Sequence, residues 1–512
     1  MALPATFLLA AALACSRADV PAPGGTGSGS PPRAATPTAT QAASPDRATL
    51  HPSPTPAETA TPLVPPATPT FPPTPTLAAP GEPESIVYQA LPGDTLHAVA
   101  VRFGVVPSDI TSTGSLPESG ALIDPGTLLI IPRRLRDTGP ATRLLPDSEV
   151  VFAPHAADFD VAAFADAQGG YLTQYREYVA GRLRTGPEVV ALVARDNSIN
   201  PRLLLALLEY QSGWVTDPTP PQGNALRYPM GKVDPAYPDL FRQLTWLANE
   251  LGVGYYSWRA GTLTQAVLAD ASSVRLAPDL NAGTVALQHY FALRNDRQDW
   301  EQALGAQGFI DLYRRFFGDP WAMDYPLFIP GVRQPALTLP FPPGHVWALT
   351  GGPHGAWERE AAWAALDFAP PTADTGCAVS DDWAVAAAPG LVVRSEDAVV
   401  ALDLDGDGRE QTGWVLIYLH LAAQGRVQAG TFVEEGDRLG HPSCEGGTAT
   451  GAHVHLVRKY NGEWILADGP LPFDLGGWIA HAGSRPYEGW MNNGSQVVIA
   501  CPCGSQETQI RR

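Results

Sequence analysis

Two histidines separated by a single residue, in Gly451-Ala452-His453-Val454-His455, constrain this chain more than any other feature. Their neighbours are β-branched or apolar, which suits a strand. Strand side chains alternate faces, so His453 and His455 point the same way into one site. Imidazole is the commonest protein metal ligand, and a same-face pair is a candidate for zinc. A catalytic zinc usually takes three protein ligands and keeps one position open, so partners are needed. Asp367 lies inside the apolar run Ala361 to Ala369. An acid there is costly unless it is paired or holds a cation. His354 sits in the glycine-rich loop Gly351-Gly352-Pro353-His354-Gly355, and His420 in the apolar strand Leu416 to Leu421.

From about Leu337 to His481, short apolar runs alternate with Gly, Pro, Asp and Asn turns, which predicts an all-β domain. Its motifs are His354, then Asp367, then Tyr418-Leu419-His420-Leu421, then Gly451-Ala452-His453-Val454-His455. In that order they resemble the lysostaphin-type (LytM) zinc endopeptidases of bacterial cell walls. The run Glu434-Glu435-Gly436-Asp437-Arg438-Leu439-Gly440-His441 is similar to that family's Gly-Asp-x-hydrophobic-Gly turn. The resemblance covers the whole β domain and implies a duplicated hybrid motif fold. It implies zinc held by His354, Asp367 and His455, with His453 as general base and His420 donating to the developing oxyanion. It implies peptidoglycan stem or cross-bridge peptides as substrate. One spacing departs from the family, in which the first His and the Asp are usually four positions apart. Here the step is thirteen, and an inserted loop would reconcile it. Relatives with missing ligands act as enzyme activators, so a non-hydrolytic regulator or peptidoglycan-binding protein is the alternative reading.

Secondary signals surround this set. Asp403-Leu404-Asp405-Gly406-Asp407-Gly408 resembles the first half of a calcium loop. The twelfth position is Trp414, not Glu, so a solvated turn is the simpler reading of Asp403, Asp405 and Asp407. Cys377 and Cys444 flank the site residues and can form a disulfide in an exported protein, with zinc ligation as the other option. Cys501 and Cys503 can pair or stay free, and His441 reads as structural.

The rest of the chain is organised around export and docking. Residues 1–15 form a short apolar run ending Ala12-Leu13-Ala14-Cys15, too short to span a bilayer. It resembles a bacterial lipoprotein signal, with Cys15 as the lipidated residue, and implies export to the outer face of the membrane or the wall. Residues 16–84 are mostly Pro, Thr, Ala and Ser and cannot bury enough apolar surface to offset their ordering entropy. An extended tether is expected there. The stretch Ile86 to Arg133 predicts strand, helix, helix, strand, with Asp94 or Thr95 capping a helix over Leu96 to Phe103. Its Gly93-Asp94-Thr95-Leu96 turn, Ala100, Phe103, Pro125-Gly126 and Ile131-Pro132 resemble a LysM domain, which implies binding of N-acetylglucosamine-containing glycan near Gly93, Asp94 and Thr95.

From 150 to 330 the pattern is helical, and Asn200-Pro201 starts one helix. Ala206 to Trp214 resembles the catalytic segment of lysozyme-like domains. There a Glu precedes Ser-Gly, whereas Gln211 precedes Ser212-Gly213 here and Glu209 is two positions away. Gln cannot deliver a proton, so an inactive all-α scaffold is expected. Residues 482–512 read as a C-terminal extension with one strand near Gln496 to Ala500. Together the 512 residues predict a multidomain α+β protein. Asp plus Glu number 52 against 33 Lys plus Arg, a net charge of -19 that argues against nucleic acid as partner. A membrane is reached only through the N-terminal anchor.

Overall fold

A computed structural model describes residues 84–357, 360–371 and 376–512. The expected export signal, Cys15 and nearly all of the 16–84 tether lie outside these residues. Among the described residues no helix is long and apolar enough to cross a membrane.

The first part is small. Strand β1 (Ser85–Gln89) leads into helix α1 (Leu96–Phe103), a two-residue strand β2 (Thr111–Ser112) and strand β3 (Leu128–Pro132). The sheet order is β1-β3-β2, all antiparallel. Thr95 caps α1, its hydroxyl accepting from the Ala98 N–H at 3.1 Å, and Gly104 ends the helix in the left-handed region. Tyr88, Val99, Phe103, Leu129 and Ile131 make a separate core. The expected second helix is a single 3₁₀ turn, Pro107–Asp109. The Ile110 N–H closes this turn on the Pro107 carbonyl, an i→i+3 bond, and Ile110 is already extended ahead of β2.

The second part is helical. It contains α2 (Val161–Gln168), the hairpin β4 (Arg176–Val179) and β5 (Arg182–Thr185), α3 (Gly186–Asn197), α4 (Pro201–Ser212), the short α5 (Asn224–Arg227) and α6 (Asp239–Ala260). A second hairpin, β6 (Gln265–Val267) and β7 (Ser273–Arg275), precedes α7 (Ala282–Ala292), α8 (Arg297–Leu304) and α9 (Phe309–Phe317). The all-α expectation is corrected by these two hairpins. The first turns at Ala180 and Gly181, both at positive φ, the conformation that matches the twist of tight hairpins. Helix α3 opens with a reciprocal Thr185–Glu188 capping box, and α4 is capped by Asn200 with Pro201 at its first position.

The third part is β. Strands β8 (Val346–Gly355), β9 (Trp363–Ala369), β10 (Ala384–Val385), β11 (Gly390–Glu396), β12 (Val399–Asp403), β13 (Trp414–Leu419), β14 (Phe432–Val433), β15 (Arg438–Gly440), β16 (Val454–Tyr460) and β17 (Glu463–Trp464) are followed by β18 (Asp474–Leu475), β19 (Trp478–Ala482), β20 (Gly489–Asn493), β21 (Gln496–Ile499) and β22 (Gln509–Arg511). The main sheet runs β14-β11-β12-β13-β16-β9-β8-β22, with β17 beside β16. Strands β18 to β21 form a second sheet in sequence order. Residues 482–512 are therefore no appendage: β19 crosses the expected boundary, and β22 extends the main sheet by pairing Ile510 with Trp347.

The main sheet has two buried faces. Leu366, Phe368, Leu416, Tyr418, Val454 and Leu456 pack on one side with Phe341, Trp347, Trp478 and Met491. Ala365, Ile417, Leu419 and Val457, on the alternate positions, share one continuous core with the helices. Alternation places Asp367 with Ala365 and His455 with Val457, so the candidate ligands lie on the face that the helical part covers.

Candidate metal centre

Three ring and carboxylate atoms converge on this face. His354 Nε2 lies 3.1 Å from His455 Nδ1, and each of these nitrogens lies 3.3 Å from Asp367 Oδ1. All three side chains are buried: His455 is 0% exposed, His354 1% and Asp367 5%. The thirteen-residue step between His354 and Asp367 is a hairpin. Strand β8 runs antiparallel to β9, with Gly351 opposite Asp367 and His354 opposite Ala365. The register shifts three times along β8, at irregularities that re-aim side chains, and this brings His354 back over Asp367. Gly351 is required at its position, because a Cβ there would stand 2.5 Å from Asp367 Oδ2.

The outer side of each imidazole is held by the backbone. His354 Nδ1 donates to the Gly352 carbonyl at 2.8 Å, and His455 Nε2 to the Ala356 carbonyl at 3.0 Å. In the neutral tautomers this leaves His354 Nε2 and His455 Nδ1 as inward lone pairs, the arrangement that orients metal-binding histidines. Asp367 Oδ1 is buried and has no hydrogen-bond partner among the described residues. An orphaned carboxylate oxygen facing two imidazole lone pairs fits a divalent cation that accepts nitrogen and oxygen ligands, and zinc is such a cation. Burial pushes the Asp367 carboxyl up, but His354 and His453 outweigh it and hold it well below the usual carboxylate range. Burial holds the His455 imidazole down, in the neutral form that a ligand needs.

His453 and His420 stand beside this triad. His453 Nδ1 donates to the Gly451 carbonyl at 2.8 Å, and its Nε2 is 3.7 Å from Asp367 Oδ1. The His420 and His453 rings are 4.5 Å apart between centroids. His420 is not in a strand as expected. It follows the last residue of β13 with φ at +67°, and this left-handed turn swings its ring back over the site. Its Nδ1 donates to the Glu445 carbonyl at 2.8 Å, and its Nε2 is buried without a partner among the described residues. Burial, with His453 and His455 nearby, holds its pKa well below the usual imidazole value.

Two features of the rim had no sequence signal or only a partial one. Tyr487 stacks on His354 with ring centroids 4.1 Å apart, from the loop between β19 and β20 and with φ at +71°. Cys377 and Cys444 are bonded, joining the loop after β9 to the segment that carries Ser443 and Glu445. Cys501 and Cys503 are also bonded. His441 lies tilted against Trp383 and its Nδ1 donates to the Asp382 backbone carbonyl, a structural position.

Other expected residues lie elsewhere. The Asp403, Asp405 and Asp407 carboxylates are within 4.8 Å of one another. Their oxygens are engaged by the loop itself: Asp403 accepts from the Asp405, Gly406 and Gly408 N–H groups, Asp405 from Asp407, and Asp407 from Arg409 and the Thr412 hydroxyl. Partial burial and Asp403 push the Asp405 carboxyl up to about 6. This is a self-satisfied turn, and nothing in it calls for calcium. Asp94 is buried, bonded to the Tyr88 hydroxyl at 2.7 Å and paired with Arg102, and so serves the fold of the small unit. Gly93 and Thr95 line a cavity walled on its other side by Arg259 and Leu471. Glu209 accepts from the Val215 and Thr216 N–H groups at 2.9 and 3.0 Å, closing the loop after α4, and Gln211 is half-buried beyond it.

Residues 143–329, the helical part, match the family model described as LasA, N-terminal domain. Protease LasA of Pseudomonas aeruginosa strain UCBPP-PA14 is 25% identical over 346 residues, 63% of this chain and 77% of that protein. Protease LasA of strain PAO1 is 26% identical over 345 residues, with the same shares. Among solved structures, the M23 metalloprotease pseudoalterin from the deep sea aligns over 33% of this chain and 96% of its own, at 20% identity and a TM-score of 0.28. The catalytic domain of the antimicrobial peptidase lysostaphin from Staphylococcus simulans aligns over 24% of this chain and 89% of its own, at 19% identity and a TM-score of 0.18.

Proposed function

We propose that this chain is an exported zinc metalloendopeptidase that hydrolyses peptide bonds in bacterial peptidoglycan. One observation carries the reading: His354, Asp367 and His455 converge in a buried cluster whose inward carboxylate oxygen has no partner among the described residues. Its similarity to two proteins named as proteases supports the peptidase class. His354, Asp367 and His455 would hold the ion. What zinc supplies at such a donor set is Lewis acidity, lowering the pKa of a coordinated water to roughly 7 and polarising the scissile carbonyl.

The chain's own groups do the rest. His453, its Nδ1–H fixed on Gly451, presents Nε2 as an acceptor and takes the proton of the attacking water. His420 has the same polarity, with Nδ1–H fixed on Glu445, so its Nε2 donates to an oxyanion only once it carries a second proton. The two adjacent rings thus form a proton-accepting pair, and the protonated member becomes the donor. The 86–133 unit would dock on glycan as a LysM domain does, and the helical part would serve as an inactive lysozyme-like scaffold.

The test is bound zinc per chain together with release of peptide fragments from purified peptidoglycan. His453→Ala should keep zinc and lose roughly 10²–10⁴-fold in rate, while His455→Ala should lose the zinc. A wild-type chain that holds no zinc and releases no fragments sinks the enzyme reading. A second reading, a non-hydrolytic regulator of another wall hydrolase, is favoured by the cover of helices over the ligand-bearing face. Zinc binding with no fragment release would select it.

A further inference from the structure

The bonded pair in Cys501-Pro502-Cys503 has no role in the peptidase reading. A crosslink steadies a fold largely by closing a loop in the unfolded chain, and the gain grows with the logarithm of loop length. Cys377 and Cys444 are 67 positions apart, whereas Cys501 and Cys503 are 2 apart, so the second bond adds far less. Its flanks are held without it. The Ala500 N–H donates to the Gly489 carbonyl at 2.9 Å, and the Cys501 N–H to the Leu349 carbonyl of β8 at 3.2 Å. Beyond the pair, β22 is fixed by its ladder to β8. The backbone here does not depend on the bond, so the bond is free to open and close.

The turn suits exchange. Pro502, Cys503 and Gly504 are exposed, and Cys501 is half-buried. An attacking thiolate therefore meets the Cys503 sulfur first, and the Cys501 sulfur is the one displaced. The Cys503 N–H donates to Cys501 Sγ at 3.2 Å. A donor on that sulfur favours its thiolate, and a better leaving thiolate speeds exchange. Nothing lies within 4 Å of where a Cβ on Gly504 would stand, so a second chain has room to approach.

A candidate docking strand adjoins the pair. Strand β21 ends at Ile499, just before Cys501, and is the last strand of the β18–β21 sheet. Its outer edge has no ladder partner among the described residues. Val497 and Ile499 are 58% and 51% exposed, and Trp490, opposite Ile499, is exposed as well. An unpaired edge with apolar side chains accepts an extended polypeptide by strand addition. The occupant that joins both observations is an extended segment that carries thiols.

We propose that Cys501 and Cys503 form a thiol–disulfide exchange site for extended, dithiol-bearing polypeptides docked along β21. The step balances within the two partners. A substrate thiolate attacks Cys503 Sγ, the Cys501–Cys503 bond breaks, and its electron pair leaves on Cys501 Sγ. The substrate's second thiolate then attacks the substrate sulfur of the mixed disulfide and displaces Cys503 as a thiolate. The substrate gains a disulfide and gives up two electrons and two protons, all of which end on the two sulfurs of the pair. The exported setting proposed above favours the bonded starting form. The step uses neither the metal centre nor the peptidase activity.

The experiment incubates the full chain with a synthetic Val- and Thr-rich peptide carrying two cysteines, and separately with glutathione. Each cysteine of the chain is then alkylated and read by peptide mass. The peptide should be oxidised one for one with reduction of Cys501–Cys503, while Cys377–Cys444 stays bonded. Val497→Asn combined with Ile499→Asn should slow the reaction with the peptide by roughly tenfold, the worth of two good cross-strand pairs, and leave that with glutathione unchanged. Cys501→Ser combined with Cys503→Ser should abolish peptide oxidation and leave the thermal midpoint unmoved. A Cys501–Cys503 bond that survives the peptide dithiol overturns the proposal, as does peptide oxidation that persists without the two cysteines. A thermal midpoint that falls on their loss makes the bond a structural staple and overturns it too. An asparagine variant that reacts with the peptide as fast as wild type, or slows equally with glutathione, overturns the polypeptide substrate.

Discussion

Each histidine around Asp367 hands one ring nitrogen to a backbone carbonyl, His354 to Gly352, His420 to Glu445, His453 to Gly451 and His455 to Ala356. The backbone thereby decides which nitrogen faces the site, and under the proposed roles ligand and base differ by where that nitrogen lands. His354→Ala removes a nitrogen of the triad and should cost more than the roughly 10–100-fold in zinc affinity that loss of an outer partner costs. Tyr487→Ala keeps the three triad side chains, removes the ring stacked on His354, and should fall within that roughly 10–100-fold range. Competition with a chromogenic chelator separates the two, and equal affinity in Tyr487→Ala and wild type would show that the stack does not position the ligand. These residues were unequally legible in sequence. Strand alternation alone puts His453 and His455 on one face. Asp367 stands out as an acid in an apolar run. His420 stood out in an apolar run, but nothing local announces a non-glycine residue at positive φ. Tyr487 carries no signal, because it is brought to the site through contacts with Gly352 and Pro353, more than a hundred residues earlier.

Elements with strong local signals match their sequence reading closely. Helix α1 begins and ends at Leu96 and Phe103 as the cap and apolar stripe indicate, and α4 starts at Pro201 behind its Asn200 cap. The thirteen-residue step is a hairpin, which a spacing rule for a shorter turn cannot express. Strands β20 and β22 are three to five residues long and owe their place to partners far away in sequence, so periodicity misses them. The join between α3 and the sheet is likewise non-local and is made of charges. Arg394 on β11 pairs with Glu410 at 2.6 Å and with Asp196 of α3 at 3.0 Å, and Lys459 on β16 reaches Glu410 at 3.2 Å. Burial alone would raise the Glu410 carboxyl, but Arg394 and Lys459 outweigh it and hold it at about 2 against an ordinary 4.5. A folded-state pKa below the unfolded one stabilises above the unfolded value, and that contribution is lost as pH falls from about 4.5 to about 2. It amounts to roughly 3 kcal/mol. Glu410→Gln should be destabilised by roughly 3–5 kcal/mol at neutral pH, since it strands two buried cations. The gap to wild type should close between pH 4.5 and 2. Urea midpoints across that range give the answer, and a gap that stays constant would remove Glu410 from the linkage.

At the scale of the whole molecule, the helical and β parts do not own separate cores. Leu203 and Leu207 of α4, Leu247 and Leu251 of α6, and Ile417 and Val457 of the sheet belong to one buried cluster. Trp464 sits at the seam, its indole N–H donating to the Asn197 carbonyl at 3.1 Å and its backbone N–H to the Tyr256 hydroxyl at 3.0 Å. Neither part can leave the other without exposing apolar surface that it has no other way to bury, so the two should unfold as one cooperative unit. The small N-terminal unit differs, having its own core and docking mainly through Arg259 to the Pro92 carbonyl and Arg275 to the Val101 and Arg102 carbonyls at the end of α1. Trp464→Ala should cost roughly 3–5 kcal/mol and lower the melting of helix and sheet signals together, while the small unit's transition stays put. Calorimetry with far-ultraviolet and near-ultraviolet dichroism on the same samples tests this. If helical signal is lost in a transition of its own, with the sheet still folded, the shared core is not the cooperative unit. The helices would then be a detachable cover over the candidate metal centre.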